Sequence, residues 1–484
     1  KIFLAGHNVD VDLLNELKTK HPELKEKLTP ETISASYARI SRDPRPINEL
    51  REIARNEVEK SRKSNTTIIF DMGHSSIAEH AVFNFDIIGL SRLAIEELEH
   101  FRLASYTEKS QRYITLTNDY VVPKELQDED IQKFKDLILI QNALYHEMFA
   151  NLKEYVFKQN QELAQDTKNH RTLEGWAKED ARYISALATE GQLGMTVNAR
   201  TLENMLRRFS ASKLDEVRVL GQKLYDSVKD IAPSVIKYTQ ASEYEFGKSE
   251  KISHFVRNDK ERNFDMDVNL VDYTENMDDK ILASILFNST NLSYDETFEM
   301  IKTLNDKEKE NIFKAGFENL KLYHPMTREF EFGEFVFEMA VSSACFGQLK
   351  RHRLCSILPK AYNPDLGLEI PEAIVKIGYE KKFREVANKS AELYEYFKTK
   401  YGENIAEYVL TNAHKRKVLI KINARELYHL SRLRDDAHAQ WDIKNITQKM
   451  VELAKKVAPQ TLFLICGKDK FNQLHNKIYG EKKC

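Results

Sequence analysis

The chain has 484 residues, which is enough for two domains that each bury a core of their own. Its 73 basic and 75 acidic side chains nearly cancel, so no overall field favours nucleic acid or a membrane surface as a partner, and any anion site has to be local. The sequence contains no apolar run of membrane-spanning length, no signal-peptide pattern, no CxxC pair, no GxGxxG motif and no Walker loop. We therefore expect a cytoplasmic protein without nucleic-acid or membrane partners, in which a nucleotide cofactor would bind without those glycine-rich loops.

The first half of the chain reads as a few strands among many helices. Residues 83–88 alternate apolar with polar side chains and predict a half-buried strand, and a shorter strand is predicted at 2–4. A polar loop is predicted at 105–113 and a glycine-marked turn at 191–194. Apolar periodicity predicts helices from residue 10 and over 91–104, 128–158, 174–188, 198–209 and 214–231.

The second half shows the same mixture. Strands are predicted at 265–272 and at 329–339, where the alternation is strong, and three prolines (Pro359, Pro364 and Pro371) mark an irregular segment. Helices are predicted over 279–287, 294–304, 307–320, 339–350, 381–400 and 405–410, and along the stretch 423–458. Since helices predominate and each half has a minority of strands, we predict a helix-rich α+β fold.

Two motifs occur once in each half. The run Arg351-His352-Arg353-Leu354-Cys355-Ser356 has an imperfect counterpart in His100-Phe101-Arg102-Leu103-Ala104-Ser105, and Asn198-Ala199-Arg200 returns as Asn423-Ala424-Arg425. We interpret this as a diverged tandem duplication. The predicted domains are residues 1–240 and 264–484, with a polar linker at 241–263.

Both polar segments are candidates for binding an anion. Two guanidiniums flanking His352 suit phosphate or carboxylate, because arginine pairs with these groups at two points. The polar loop 105–113 offers hydroxyls, a carboxylate and a guanidinium, which together could hold a phosphorylated sugar and a base edge. A solvated helix end, with cations against the helix dipole, and a solvated loop are the alternative interpretations.

A metal site and a cysteine nucleophile are weaker hypotheses. His74 and His80, with Glu79 between them, are six residues apart, which does not place two histidines on one helical face, so we predict no metal site. Cys355 lies in the cationic region and could be suspected as a nucleophile. A small packed cysteine is the interpretation we prefer.

These motifs resemble those of the flavin-dependent thymidylate synthases, whose signature reads RHRxxSxNExSxRY. The second half supplies its beginning, Arg351-His352-Arg353 and Ser356. The first half supplies the remainder, namely Ser105, Glu108, Ser110 and Arg112-Tyr113, with Thr107 in place of the asparagine. Neither half is whole, because the first begins with His100-Phe101 and the second has Pro359, Ala361 and Asn363 at the positions of Glu108, Ser110 and Arg112.

The later family segment, NAR followed by RxxxHAQWE, is kept in the second half. There Arg434 and His438 fit the pattern, whereas Phe209 and Lys213 stand at their positions in the first half. The remaining differences follow the same division. The first half has Arg182, Glu97, Asn204 and the HxTxxEH-like residues His74 and Ser76, where the second has Glu407, Gln348, His429, Met326 and Arg328. The acid of the HxTxxEH-like segment, Glu79, is retained as Glu331.

The resemblance implies an FAD-dependent enzyme that methylates dUMP to dTMP, with methylenetetrahydrofolate as carbon donor and NADPH as reductant. It implies a homodimer that forms a pseudo-tetramer, since family members are homotetramers with sites shared between subunits, and sites built from both halves. Arg434 would polarise the uracil, because a guanidinium near ring carbonyls stabilises developing negative charge. A flavin enzyme for another uracil nucleotide and a non-catalytic nucleotide-binding paralogue remain as alternatives.

The resemblance also assigns residues to each role. The catalytic residues would be Arg434 and His438. The dUMP-binding residues would be Ser105, Glu108, Ser110, Arg112, Arg182, Gln348 and Arg434. The flavin-binding residues would be His74, Ser76, Glu79, Asn198, Arg200, Asn204, Arg351, His352, Arg353, Asn423, Arg425 and His438.

Overall fold

The computed structural model describes residues 8–40, 43–245 and 268–480. The predicted strand at 2–4 and most of the predicted linker lie outside the described residues. The chain divides into two units, each with its own internal contacts. Unit 1 takes in the described residues of Lys1–Ser110, Asp119–Ile131 and Ala188–Lys260, and unit 2 takes in those of Gln111–Asn118, Gln132–Leu187 and Glu261–Cys484. Unit 2 therefore includes a segment from the first sequence repeat, while the predicted repeat boundaries stay a prediction.

Unit 1 contains a three-stranded antiparallel sheet in the order β1-β3-β2. Its strands are β1 (Val82–Ser91), β2 (Ala104–Glu108) and β3 (Glu190–Asn198). Phe83 and Ile87 are buried on one face of β1, whereas Asn84 and Asp86 are exposed, as the alternation predicts. The α-helices are α1 (Val11–Lys20), α2 (Glu31–Arg39), α3 (Ile47–Asn56), α4 (Val58–Thr66), α5 (Arg92–Leu98), α9 (Ala199–Ser210) and α10 (Asp215–Val228), the labels α6 to α8 belonging to unit 2.

Unit 2 contains a four-stranded antiparallel sheet in the order β4-β5-β7-β6. Its strands are β4 (Asn269–Tyr273), β5 (Glu334–Ser342), β6 (Ser356–Tyr362) and β7 (Lys415–Asn423). From the first repeat it takes α6 (Asp128–Gln159, from Gln132 onward), α7 (Gln161–Ala164) and α8 (His170–Ala181). From the second it takes α11 (Met277–Ser289), α12 (Tyr294–Lys302), α13 (Asp306–Phe317), α14 (Ser343–Leu349), α15 (Glu372–Lys376), α16 (Glu380–Tyr401), α17 (Glu403–Ala406), α18 (Ala424–Arg434), α19 (Trp441–Val457) and α20 (Phe471–Tyr479).

Two apolar clusters form the core of unit 2. One surrounds the sheet and includes Phe335, Phe337 and Ile420, all fully buried. The other joins the two repeats, because Met148 of α6 belongs to the same buried cluster as Phe383 of α16. The second cluster is therefore completed by helices from the first half of the sequence.

The duplication is visible in the way each sheet meets the following helix. Asn198 ends β3 and its side chain accepts a hydrogen bond from the Thr201 amide at 2.8 Å, which caps α9. Asn423 ends β7 and caps α18 in the same way through the Glu426 amide at 2.9 Å. Asparagine is a preferred N-cap because its side chain satisfies an otherwise unpaired amide of the first turn.

The predicted α+β class is confirmed, and strands are found where they were predicted at 83–88, 265–272 and 329–339, with shifted ends. Two predicted irregular segments are strands instead. The turn predicted at 191–194 lies inside β3, where a Cβ on Gly191 would lie 2.6 Å from Cδ1 of Ile95, so a larger residue would require the end of that side chain to move. Pro359 lies within β6, which tolerates it because an edge strand does not need every amide.

Other boundaries differ in a simpler way. The predicted loop 105–113 begins in β2, and the stretch predicted as helical over 423–458 is two helices, Ala424–Arg434 and Trp441–Val457. β7 was not predicted, although it is an inner strand of its sheet. In the described part of the chain, no helix combines the length and apolar character needed to cross a membrane.

Replacing Phe337 by alanine is expected to destabilise the protein by about 3–5 kcal/mol, because it opens a cavity in the sheet core where the side chain is fully buried. The control is Val336→Ala, on the opposite and more open face of the same strand, with an expected cost below about 1 kcal/mol. Urea unfolding of both variants measures the difference. Equal losses would contradict the placement of Phe337 in the core.

Candidate active site

The end of α8 holds two arginines in unit 2 through one buried glutamate. The Glu179 carboxylate accepts a hydrogen bond from Arg112 Nε, and its backbone carbonyl accepts one from Arg182 Nε at 3.3 Å. Arg182 and Glu179 are both buried, and Arg182 begins the short 3-10 turn Arg182–Ile184 that follows the helix. One residue therefore fixes two cations that come from distant parts of the first repeat.

Arg434, near the end of α18, is held by the second repeat. Its Nε donates to His352 Nε2 at 3.1 Å, and its Nη2 donates to the Gln348 carbonyl at 3.4 Å. Burial, together with the nearby charges of Arg351 and Arg112, lowers the pKa of Arg434 to about 10. At that value the guanidinium is still protonated at neutral pH.

The ring of His352 binds Arg434 and does not face the solvent. It is buried, and its Nδ1 lies 3.2 Å from Glu426 Oε1 while Nε2 accepts from Arg434. Burial lowers the pKa of His352, which agrees with a neutral ring whose proton is on Nδ1 and points at Glu426. Arg351 is exposed and Arg353 is half-buried on either side of it.

The two groups of arginines meet within unit 2. Arg112 Nη2 donates to the backbone carbonyl of His438 at 3.4 Å, although the two residues lie 326 positions apart. The His438 side chain is exposed. The structure thus brings Arg112 and Arg182 of the first repeat into the same unit as Gln348, Arg434 and His438 of the second.

A buried hydrogen-bond chain lies behind these residues. The Tyr183 hydroxyl donates to Asp442 Oδ2 at 3.0 Å and accepts from Gln440 Nε2 at 2.7 Å. Gln348 Nε2 in turn donates to Gln440 Oε1 at 3.2 Å. Since Tyr183 directly follows Arg182, this chain fixes Arg182 relative to Gln348.

A second link joins the same two segments. The Trp441 indole donates to Asp180 Oδ1 at 2.9 Å, and its ring stacks on Tyr183 with centroids 5.5 Å apart. Burial raises the pKa of Asp180 to about 7 and that of Asp442 to about 6. Two carboxyl groups whose pKa values are close to neutral pH therefore lie beside the arginine cluster, which consists of Arg112, Arg182 and Arg434.

One group of potential metal ligands occurs among the described residues. Donor atoms of His352, Glu426 and His429 lie within 4.8 Å of one another. His352 Nε2 accepts from Arg434, so its Nδ1 carries a proton and is not an open ligand in this arrangement. The predicted absence of a metal site stays a prediction.

The second repeat has filled the position that corresponds to Arg182. Glu407 is buried there, and its Oε1 accepts a hydrogen bond from the Tyr362 amide at 2.5 Å. Arg416, at the position of Gly191, lies over the rings of Tyr362 and Phe346 at 4.1 and 4.8 Å. The carboxylate of Glu407 and the stacked guanidinium of Arg416 therefore stand where the first repeat has the guanidinium of Arg182 and a glycine.

Two arginines predicted to bind flavin, Arg200 and Arg425, form matching ion pairs within their own units. Glu79 pairs with Arg200 in unit 1, and Glu331 pairs with Arg425 in unit 2, where Arg425 Nε also donates to the Met326 carbonyl at 2.7 Å. His74, Ser76 and Asn204 are exposed, while the Asn198 and Asn423 side chains cap helices.

The remaining predicted residues lie on or after β2 in unit 1. Ser105 and Glu108 pair with Thr196 and Leu193 of β3, and Ser110 follows the strand. Cys355 is buried in the sheet core of unit 2, which agrees with the preferred interpretation of a packed cysteine. Sequence reasoning missed Glu179 and Tyr183, because their partners are far away in sequence and neither residue lies in a motif.

Comparison with known proteins places these observations in a family. A family model described as thymidylate synthase complementing protein (Thy1) matches the chain twice, over residues 23–234 and 269–460. A UPF0159 protein of Thermoplasma acidophilum is 23% identical over 90% of this chain and 94% of its own length. A flavin-dependent thymidylate synthase of Clostridium tetani is 29% identical over 44% of this chain and 83% of its own length.

The solved structures contain a similar chain, described as the UMP/dUMP methylase PolB from Streptomyces cacaoi. It is 17% identical and aligns with 42% of this chain and 97% of its own, with a TM-score of 0.34. The two family matches and the single-repeat and double-repeat relatives agree with a tandem duplication.

Asp180→Asn is expected to change how stability depends on pH. A carboxyl whose pKa is raised to about 7 on folding stabilises the folded state below its unfolded pKa, and this contribution is lost as pH rises to about 7. Relative to wild type, the asparagine variant should therefore gain up to about 1 kcal/mol per pH unit between pH 5 and 7. Urea unfolding at pH 5, 6 and 7 measures this, with exposed Glu154→Gln as the control; parallel pH profiles for wild type and Asp180→Asn would contradict it.

Proposed function

Because the chain belongs to the Thy1 family, the family of the flavin-dependent thymidylate synthases, we propose that it methylates dUMP to dTMP. The observation that carries the proposal is the arginine cluster of unit 2, where Arg112 and Arg182 of one repeat accompany Arg434 of the other. At the positions assigned to the nucleotide, each repeat lacks groups that the other has. Decay of an unused copy would not be expected to leave such a complementary set.

The nucleotide phosphate is assigned to Arg112 and Arg182. Both guanidiniums are fixed by Glu179, so little side-chain freedom is lost when a phosphate binds. Arginine pairs with phosphate at two points, and two such groups suit the double charge of a phosphate monoester. Gln348, from the second repeat, is the neutral polar group of the set, and Ser105, Glu108 and Ser110 join it by resemblance alone.

The uracil is assigned to Arg434. Uracil C5 becomes nucleophilic when negative charge accumulates on the ring carbonyls, and a fixed guanidinium stabilises that charge without reorganising. His352 and the Gln348 carbonyl hold Arg434 in place, and its pKa of about 10 keeps it charged. His438 contributes its carbonyl to Arg112, which links the phosphate and base ends of the site.

The donor set suits a flavin. Arg351 and Arg353 lie on either side of buried His352, and the diphosphate of FAD is an anion of the kind that paired guanidiniums bind. By resemblance we assign flavin binding to these residues with Asn423 and Arg425 in unit 2, and to His74, Ser76, Glu79, Asn198, Arg200 and Asn204 within unit 1. When bound, the flavin supplies the redox chemistry. NADPH as reductant, methylenetetrahydrofolate as carbon donor and a homodimeric pseudo-tetramer complete the proposal.

The decisive experiment follows the C5 proton of the substrate. The purified protein is incubated with FAD, NADPH, methylenetetrahydrofolate and dUMP tritiated at C5, and both tritium released to water and dTMP are measured. Release together with dTMP is the expected result. Release without dTMP would indicate another carbon donor or product, and no release with bound dUMP would favour a non-catalytic nucleotide-binding protein.

Arg434→Ala and Arg182→Ala are expected to lower tritium release by about 100-fold or more, because each removes a fixed charge that the substrate uses. The matched control is Arg171→Ala, an exposed arginine on α8, which should retain wild-type turnover. Circular dichroism shows whether each variant is folded. Full activity in the Arg182 and Arg434 variants would refute the proposed site.

Glu407, which stands in the second repeat at the position of Arg182, leads to a prediction about the number of nucleotides that each chain binds. Its buried carboxylate would repel a phosphate and already holds the Tyr362 amide, so only the site containing Arg182 should accept nucleotide. Isothermal titration with dUMP should give one nucleotide bound per chain. Two equivalent sites per chain would show that the second repeat has not lost its nucleotide site.

A further inference from the structure

Asn412 is a buried asparagine of unit 2 that none of the preceding roles uses. It belongs to the segment between α17 and β7, and its side chain is fully buried. A buried amide group is costly unless its donors and acceptor find partners, so the partners of Asn412 indicate why a polar side chain stands there.

The amide nitrogen of Asn412 contacts two segments of the first repeat. Its Nδ2 donates to the Arg182 carbonyl at 2.8 Å and to Gln111 Oε1 at 3.3 Å. Gln111 directly precedes Arg112 in the sequence. A side-chain amide has two hydrogens, and these two acceptors use both of them. One side chain of the second repeat is therefore hydrogen-bonded to the segments of both arginines that are assigned to the phosphate.

The oxygen atoms of Asn412 are tied to helix α14, which carries Gln348. Its Oδ1 accepts a hydrogen bond from the Ser343 hydroxyl at 3.4 Å, and its backbone carbonyl accepts one from the Ala344 amide at 3.1 Å. Ala344 lies in the first turn of α14, where backbone amides have no partner within the helix. Asn412 thus connects this helix to the segments of both arginines.

The backbone around Asn412 holds the Arg182 segment as well. The Asn412 amide donates to the Ser185 carbonyl at 3.0 Å, and the Ala413 amide donates to the Tyr183 carbonyl at 2.9 Å. The residues that directly follow Arg182 therefore lie alongside the segment of Asn412. The side-chain amide extends this contact to the carbonyl of Arg182 itself.

The turn that contains Asn412 is fixed by a buried histidine. His414 Nδ1 accepts a hydrogen bond from the Thr411 amide at 2.9 Å, and the His414 amide donates to the Thr411 carbonyl at 3.0 Å. Burial lowers the pKa of His414 to about 4, so its ring is neutral at neutral pH and Nδ1 can accept. Asn412 is consequently held between two residues that bind each other.

The first repeat has no amide at the corresponding position. Asn412 lies five residues after Glu407, and the residue five positions after Arg182 is Leu187, which is also fully buried. Leucine fills a buried position without needing hydrogen-bond partners, so packing alone does not require asparagine there. The amide is present in the repeat that lacks the phosphate arginines and absent from the repeat that contains them.

We propose that Asn412 is a positioning residue for the nucleotide phosphate, supplied by the second repeat to the arginines of the first. Its amide holds the segments of Arg182 and Arg112 at the spacing at which both guanidiniums bind one phosphate. It acts through the Arg182 carbonyl and through Gln111, and it does not touch the ligand. This role rests on the proposed function, since that function supplies the phosphate monoester that the two arginines bind.

The test is isothermal titration of dUMP into the full chain with Asn412→Leu, which removes both amide donors. This variant is expected to bind dUMP about tenfold more weakly than wild type. Asn412→Ala removes the same donors without adding bulk and should show the same loss, so it replaces the leucine variant if that variant does not fold. Circular dichroism checks the fold of each variant. Unchanged dUMP affinity in a folded Asn412 variant would overturn the proposal.

Asn65→Leu in unit 1 is the matched control. Asn65 is also fully buried, and its Nδ2 donates to the Glu31 carbonyl and to the Ser234 hydroxyl, each at 3.2 Å. The substitution removes the same number of buried hydrogen bonds from a residue without a role in the site, so dUMP affinity should stay at the wild-type value. A loss as large as that of Asn412→Leu would indicate a general loss of stability and would overturn the proposal.

A double-mutant cycle with Arg182→Ala separates positioning from a general structural effect. If Asn412 acts through Arg182, the two substitutions together should weaken dUMP binding by less than the product of their separate factors. Factors that multiply would show that Asn412 acts independently of Arg182, which contradicts the proposal.

Binding is measured without turnover, so the role of Asn412 and the methylation of dUMP can fail separately. A chain that binds dUMP, loses affinity with Asn412→Leu and releases no tritium would refute methylation and support the positioning role. A chain that methylates dUMP and binds it equally well with Asn412→Leu would refute the positioning role alone. A wild-type chain that does not bind dUMP would refute both.

Discussion

The arginine cluster of unit 2 exists because buried carboxylates hold it together against its own repulsion. Arg112 and Arg351 both lower the pKa of Arg434, which shows that the guanidiniums are close enough to oppose one another's charge. Glu179 accepts a hydrogen bond from Arg112. Glu426 positions His352, which accepts a hydrogen bond from Arg434. These buried carboxylates offset part of the repulsion among the like charges, so the arginines can be assembled while they remain protonated.

The two repeats have diverged by exchanging charges at corresponding positions. Arg182 of the first repeat is Glu407 in the second, and the second fills its own position with an internal hydrogen bond to the Tyr362 amide. The parts that build the fold have changed far less, because Asn198 and Asn423 cap their helices in the same geometry. A helix cap is required in any sequence that folds this way, whereas a ligand contact is required only where the ligand binds.

Local patterns in the sequence predicted the class and most helices, since helical periodicity and alternation are properties of neighbouring residues. They failed where a distant partner decides the structure. The sequence around Gly191 predicts a turn, because it does not show the close approach of Ile95. Pro359 predicts an irregular segment, because the sequence does not show that β6 lies at a sheet edge. The site followed the same rule: the family motifs identified Arg182 and Arg434, but Glu179 and Tyr183 gain their importance from partners 67 or more residues away.

Unit 2 has a buried core cluster that contains residues of both repeats, so each repeat depends on the other for its packing. Met148 and Phe383, from different repeats, are buried in one cluster, so the second repeat synthesised alone would expose part of that core to water. Because the two repeats belong to one polypeptide, each repeat is always synthesised together with the other and in equal amount. One repeat can then change at a position, as Glu407 differs from Arg182, while the chain still contains the residue that the other repeat keeps.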